Sequence, residues 1–194
     1  MNKTFRGRLQ AAYSLLWVQI LTGFLVIAFI VLFDQITKHL AFIHLSGRTT
    51  SLVVIPHVIN FRYLTNSGAA WGMLSDQRWI YMSISIAAIL AILYLLFRLR
   101  KSRDPLLKTA LLFFVGGGIG NMIDRIANGY VIDFLEFGFM DFPVFNVADS
   151  FVTIAAALMI VYLIKGLIAD YKKKKSLQES QESKEASSGD KKNE

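Results

Sequence analysis

The sequence predicts a mainly α membrane protein, with four transmembrane helices and a small extracytoplasmic β-sheet region between helices 1 and 2. Composition is the first ground for this. The chain has 194 residues, of which 54% are hydrophobic and only 18% charged, and its mean hydropathy is +0.46. A soluble domain of this length needs more polar surface, so an ordinary cytosolic enzyme, a disordered chain and a nucleic-acid binder are excluded as classes. The second ground is four apolar runs long enough to cross a bilayer, which takes roughly 20 helical residues. The third is a different texture between the first two runs, where β-branched and aromatic residues alternate with polar ones.

The first run extends from about Leu15 to Phe33. It follows Lys3, Arg6 and Arg8, lacks a small-residue exit site and ends at Phe33-Asp34-Gln35, which marks a retained signal anchor and not a cleaved signal peptide. The second runs from about Trp79 to Phe97, the third from about Leu106 to Met122, and the fourth from about Val147 to Ala169. They divide the chain into a basic arm (1–14), a membrane domain (15–170, with the β region at 43–78) and a polar tail (171–194) expected to be disordered. Sixteen of the 21 Lys and Arg residues fall in the arm, in the loop between spans two and three, and at the C-terminal end. The positive-inside rule therefore places both termini in the cytoplasm. It also accounts for the net charge of +7 by lipid headgroups, without invoking nucleic acid.

In the β region, SLVVIPHVINFRYLTN alternates at Ile59, Phe61 and Tyr63, and Pro56 predicts a break between two short strands. The chain has no cysteine, and His39, His44 and His57 have no ligand spacing. Thiol chemistry, disulfides and a zinc-thiolate site are excluded, and no metal or other cofactor is expected.

Seven of the 14 acidic residues lie on the outer side or at outer span ends: Asp34, Asp76, Asp124, Asp133, Glu136, Asp141 and Asp149. Any single one of them could simply mark the water interface. Several converging on one membrane level point to a site, because an ionisable group beside an apolar run is costly. Asp34 and Lys38 are four apart and share a helix face, as an ion pair or as solvated neighbours. Asn66-Ser67-Gly68-Ala69-Ala70-Trp71 reads as a turn with small residues that allow close approach. Gly117, Gly120, Asn121 and Asp124 fall at i, i+3, i+4 and i+7, a face small and then polar. Gly116 is expected to serve helix packing, and Gly117 and Gly120 to floor a groove. Asn128-Gly129 signals a turn, after which Asp133 sits in an apolar strand-like or helical stub with no basic neighbour. Asn146 is a candidate N-cap, with Asp149 three residues on in the first turn, where the helix dipole favours an acid.

DQITK, NSGAAW, GGGIGNMIDR, VIDF and FPVFNVADS, in this order beside four spans, resemble the lipoprotein signal peptidase (signal peptidase II) family, from about Leu15 to Ala169. The resemblance implies a monomeric intramembrane aspartyl endopeptidase of the bacterial cytoplasmic membrane, with its active site near the outer face. Its partners would be membrane lipid and prolipoproteins, cleaved just before the diacylglyceryl-modified cysteine. Asp133 and Asp149 would be the catalytic pair, with Asp124 as the rival second carboxylate, ranked lower because Asn121 and Arg125 could hold it structurally. Asp34, Lys38, Asn66, Gly117, Asn121, Asp124, Arg125, Asn146 and Ala148 would support the pair and bind substrate. The diacylglyceryl chains would enter between spans near Gly117 and Gly120, under a cover formed by the outer sheet and the NSGAAW turn. The residues alone agree with carboxylate chemistry, since neither a thiol nor a Ser-His or Ser-Lys pairing is available at this level. Close carboxylates share one proton, with Asp149 expected to carry the charge and Asp133 the proton. A proton-coupled transporter and a non-catalytic scaffold for lipidated proteins are the rival classes. The small size, the lack of an internal repeat and the clustering of acids at one face weigh against transport.

Overall fold

The computed structural model describes residues 3–68, 78–101 and 104–190. Four helices make up most of it: α1 (Lys3–Leu45), α2 (Arg78–Arg98), α3 (Pro105–Ala127) and α4 (Val147–Asp190). Three of them, α1, α3 and α4, are long and apolar enough to cross a membrane, and α2 adds a shorter apolar helix over Met82–Arg98. Large apolar side chains stay exposed along their outer faces, with Trp17 at 67% and Leu167 at 70%. Such faces are stable only against hydrocarbon.

Helix α1 continues twelve residues beyond Phe33, where the sequence suggests the span ends. Asp34 and Lys38 are buried, whereas Ile36, Leu40, Phe42 and Ile43 remain exposed. The polar residues thus occupy an inward stripe on a helix whose outward face stays apolar. Helix α3 starts where Asp104 accepts hydrogen bonds from the Leu106 and Leu107 N–H groups and Pro105 takes the first helical position. It ends at Asn128-Gly129, the predicted turn, with Gly129 at φ 83°, a conformation natural for glycine. Helix α4 overruns its expected end at Ala169 and passes through the tail expected to be disordered, as far as Asp190. Lys, Gln and Glu there are good helix formers, no proline follows Pro143, and Lys175 pairs with Glu179 at 3.9 Å one turn away. Low apolar content denies that segment a packing partner, but does not by itself prevent a helix.

The small sheet has strand order β1 (Leu52–Ile55), β2 (Ile59–Asn66), β3 (Val131–Phe137), all antiparallel. The break at Pro56 is a turn in which His57 has φ 60°. The third strand is the Asp133 segment, contributed from between α3 and α4, so the sheet is not built from the first loop alone. It rests on the C-terminal end of α1, where Ala41 and Leu45 pack with Phe134, Phe61 and Tyr63. The chain entering α4 is tied to β3, with the Phe145 N–H donating to the Leu135 carbonyl at 2.9 Å and the Phe145 carbonyl accepting from Leu135 N–H at 2.7 Å.

Helix α3 is central and packs on α1, α2 and α4. Its glycines set the spacing. A Cβ on Gly116 would lie 2.9 Å from Ile30 of α1. One on Gly117 would lie 2.5 Å from the Ala148 carbonyl oxygen of α4, and one on Gly120 would lie 2.7 Å from Asp34 Oδ2. Gly117 and Gly120 therefore serve packing as Gly116 does, and are not a groove floor. The α4 backbone and Asp34 are already in contact with α3 at that point. Gly118 faces only the tip of Ile89 at 3.3 Å, which a small side-chain adjustment relieves. Gly117→Ala should therefore lower stability by about 1–3 kcal/mol, as overpacking against backbone does, while Gly118→Ala stays within about 0.5 kcal/mol. Thermal unfolding of the two variants in the same detergent checks this, and equal melting temperatures would refute it.

Candidate active site

The centre of the polar cluster is Lys38, 2% exposed. Its ammonium contacts Asp34 Oδ2 at 2.8 Å and Asp124 Oδ2 at 3.0 Å, and donates to Asn121 Oδ1 at 2.9 Å. Three acceptors thus match its three protons. The expected Asp34–Lys38 pair exists, buried and not solvated. Asp34 also accepts the Ala148 N–H at 2.8 Å, stapling α1 to the first turn of α4. Asp124 accepts from Gln35 at 2.9 Å and from the Ile132 backbone N–H at 3.1 Å. Lys38, Gln35 and the Ile132 N–H are thus partners of Asp124 beyond the expected Asn121 and Arg125. The Arg125 guanidinium donates to the Asn121 carbonyl, at 3.4 Å.

Asn121 carries the network onward. Its Oδ1 accepts from Lys38 and from Asn146 Nδ2 at 3.0 Å, and its Nδ2 donates to Asp149 Oδ1 at 2.7 Å. Asn146 caps α4 as anticipated, and the cap is reciprocal. The Asp149 N–H donates to Asn146 Oδ1 at 2.9 Å, while the Asn146 N–H donates to Asp149 Oδ2 at 3.2 Å. This capping box fixes the Asp149 carboxylate at the third residue of the helix.

Asp133 approaches from the sheet. Its Oδ1 accepts from Asn146 Nδ2 at 2.7 Å, and its Oδ2 accepts from Asn66 Nδ2 at 3.1 Å, diagonally across the β2–β3 pair. One asparagine side chain, Asn146, therefore touches both Asp133 and the first turn of Asp149. The Asp133 pKa is pushed up to about 6, first by burial and then by the charge of Asp149, against hydrogen bonds from Asn66 and Asn146 that lower it. Burial decides the direction, and the group holds a proton well above the ordinary carboxylate range.

Asp133 and Asp149 face a cavity of about 490 Å³, together with Asn66, Asn121 and Arg125. Its remaining wall is mainly apolar, with Phe137, Phe142, Phe145, Val152 and Ile154, relieved by Ser150 and Thr153. The other expected support residues stand behind this surface: Asp34, Lys38, Asp124 and Asn146 as charge and hydrogen-bond partners, Gly117 and Ala148 at the packed α3–α4 contact. Ala148 contributes its N–H and its small side chain, since it is fully buried. Gln35 was not among the expected residues, although it bridges Asp124 and the Gly120 carbonyl at 3.1 Å. A neutral amide between Asp34 and Lys38 on an apolar helix was the signal for it. In the NSGAAW turn, Asn66 Oδ1 accepts from the Gly68 N–H at 3.0 Å, while Ala69, Ala70 and Trp71 lie outside the described residues. Among the described residues no group of three or more His, Asp or Glu side chains is arranged to hold a metal ion.

Comparison with known proteins agrees with this geometry. The family profile described as signal peptidase II matches residues 26–165. The chain is 43% identical to the lipoprotein signal peptidase of Symbiobacterium thermophilum over 136 residues, covering 69% of this chain and 88% of the relative. It is 38% identical to that of Staphylococcus aureus over 148 residues, covering 74% and 88%. Two solved structures of a bacterial membrane enzyme, both 35% identical, superpose with TM-scores of 0.66 and 0.65. Each covers 74% of this chain, and 88% and 93% respectively of the solved chains. The four-helix membrane fold, the buried acids and these relatives agree: the chain belongs to the signal peptidase II family, the lipoprotein signal peptidases.

Proposed function

We propose that the chain removes prolipoprotein signal peptides by aspartyl catalysis, with Asp133 and Asp149 as the pair and cleavage just before the diacylglyceryl-modified cysteine. The observation that carries this reading is the pair itself. Two carboxylates from different elements are joined through Asn146 at the polar end of an apolar cavity, and one of them keeps its proton to about pH 6.

Asp149 is the ionised member, held by the Asn121 amide and the Asn146 N–H. It takes a proton from a water molecule, which attacks the scissile carbonyl carbon. Asp133 donates a hydrogen bond, and then its proton, to the carbonyl oxygen as the tetrahedral intermediate forms. Collapse of that intermediate breaks the C–N bond. The proton on Asp149 passes to the leaving amine, and Asp133 recovers its own from the intermediate hydroxyl. Asn66 and Asn146 keep the Asp133 carboxyl aimed at the cavity. Asp124 has no place in these steps, because Lys38, Gln35 and the Ile132 N–H occupy its oxygens.

The cavity walls suit the substrate. Val152 and Ile154 continue the apolar lining along α4, matching the hydrophobic core of a signal peptide, while the diacylglyceryl chains stay in lipid. Both termini lie in the cytoplasm by the distribution of basic residues, which puts the carboxylate pair near the outer face. A monomer is the working state in this reading, which the placement of both carboxylates in one chain supports.

Two measurements test the reading. Asp133→Asn and Asp149→Asn should each lower cleavage of a diacylglyceryl-modified prolipoprotein by at least about 10³-fold with little change in melting temperature. Asp124→Asn should melt lower yet keep measurable cleavage. Full activity in either of the first two variants would overturn the assignment. In the pH profile, kcat/KM should fall as pH rises through about 6, where Asp133 in the free enzyme loses its proton. The corresponding limb of kcat should sit higher, because bound substrate excludes water and deepens the burial. A kcat/KM that does not decline across that range would remove Asp133 as the proton carrier.

A further inference from the structure

At the opposite end of the bundle from the carboxylates, α1, α2 and α3 enclose a second cleft of about 420 Å³, within the size range of small-ligand sites. Leu16, Ile20, Phe24 and Ile27 of α1 face Leu93, Leu96 and Phe97 of α2 and Leu112 of α3 across it. Gly23 opens the α1 wall: a Cβ there would only just touch Leu112, at 3.4 Å. One end of the cleft carries two cations, Arg100 and Lys108. Lys108 Nζ donates to the Arg100 carbonyl at 3.2 Å, and Arg100 Nη1 donates to the Phe97 carbonyl at 3.0 Å, with the guanidinium 4.4 Å from the Phe97 ring centroid. These contacts hold both groups at the cleft mouth, and among the described residues neither pairs with a carboxylate. Lys108 is thirteen residues from Asn121 on the same helix, about 20 Å away, so the cleft is separate from the catalytic cavity.

We propose that this cleft binds one anionic phospholipid of the cytoplasmic leaflet, with its phosphodiester between Arg100 and Lys108 and an acyl chain along the Gly23 wall. Charge complementarity selects this occupant. Two fixed cations at headgroup depth above an apolar slot match a phosphate joined to a hydrocarbon chain. They disfavour the other available apolar segment, a signal peptide, whose leading end is positively charged.

The test is native mass spectrometry of the full chain extracted from vesicles of phosphatidylcholine alone, and of equal parts phosphatidylcholine and phosphatidylglycerol. The wild type should keep one phosphatidylglycerol through detergent release and keep no phosphatidylcholine. Arg100→Gln with Lys108→Gln should bind it about thirtyfold more weakly. Gly23→Leu, which fills the slot but spares both cations, should also lose it. Neutralising Lys172 to Lys175 should leave retention unchanged. Equal retention of phosphatidylcholine, or retention unaffected by both the double variant and Gly23→Leu, would overturn the proposal. So would crosslinking of a photoreactive residue at Leu112 to substrate peptide in place of lipid.

Discussion

The structure depends on one buried ammonium. Lys38 lies within an apolar helix, and a charge there is stable only when every proton has an acceptor. The acceptors come from two helices: Asp34 from its own turn, Asp124 and Asn121 from α3. Removing the lysine would leave two carboxylates facing each other without compensation, a loss of about 3–5 kcal/mol for a broken buried pair. The same ammonium fixes which way Asn121 points. With Oδ1 held by Lys38, its NH2 must face Asp149. The orientation of the site is thus set by a residue that does not line the cavity.

That arrangement requires unusually close backbones, and the glycines of α3 supply the space. Gly116 and Gly120 receive Ile30 and Asp34 of α1, one turn apart, and Gly117 receives Ala148 and Val152 of α4, also one turn apart. The small-residue face and the polar face are therefore one device. Without the close approach, Asp34 could not reach the Ala148 N–H at 2.8 Å, and the α4 cap would not be registered against α3. The bond pair between Phe145 and Leu135 does the same for the sheet, setting Asn146 beside Asp133.

Much of this was legible in the sequence because its signals are local. The N-cap at Asn146, the turn at Asn128-Gly129, the break at Pro56 and the i, i+4 spacing of Asp34 and Lys38 are short-range patterns whose chemistry names the conformation. What the sequence did not disclose depends on which neighbour arrives from elsewhere. Gly117 looked like a groove floor because spacing shows a small face but not what fills it. For Asp124 only the near neighbours Asn121 and Arg125 could be named, whereas its partners Lys38 and Gln35 come from a helix more than eighty residues earlier. Likewise, Asp34 looked like the end of a span because a charge usually meets water, and only the facing polar groups of α3 allow the helix to continue. The VIDF segment stayed ambiguous between strand and helix because its pairing partner, β2, lies far away in the chain.

The sheet has a second consequence for the chemistry. Asp133 is 2% exposed because β3, at one edge of the sheet, is covered by α3, by the segment leading into α4 and by β2. The other edge strand, β1, is exposed along its length, and a carboxyl there would be hydrated. Burial in the free protein already makes the proton on Asp133 favourable to about pH 6. Under the proposed function, a peptide lying in the cavity would exclude more water and strengthen the repulsion from Asp149, both of which favour the protonated form further. Substrate binding and proton uptake are therefore linked in the same direction. On the proposed assignment, the site would become better prepared for acid assistance as the substrate seats.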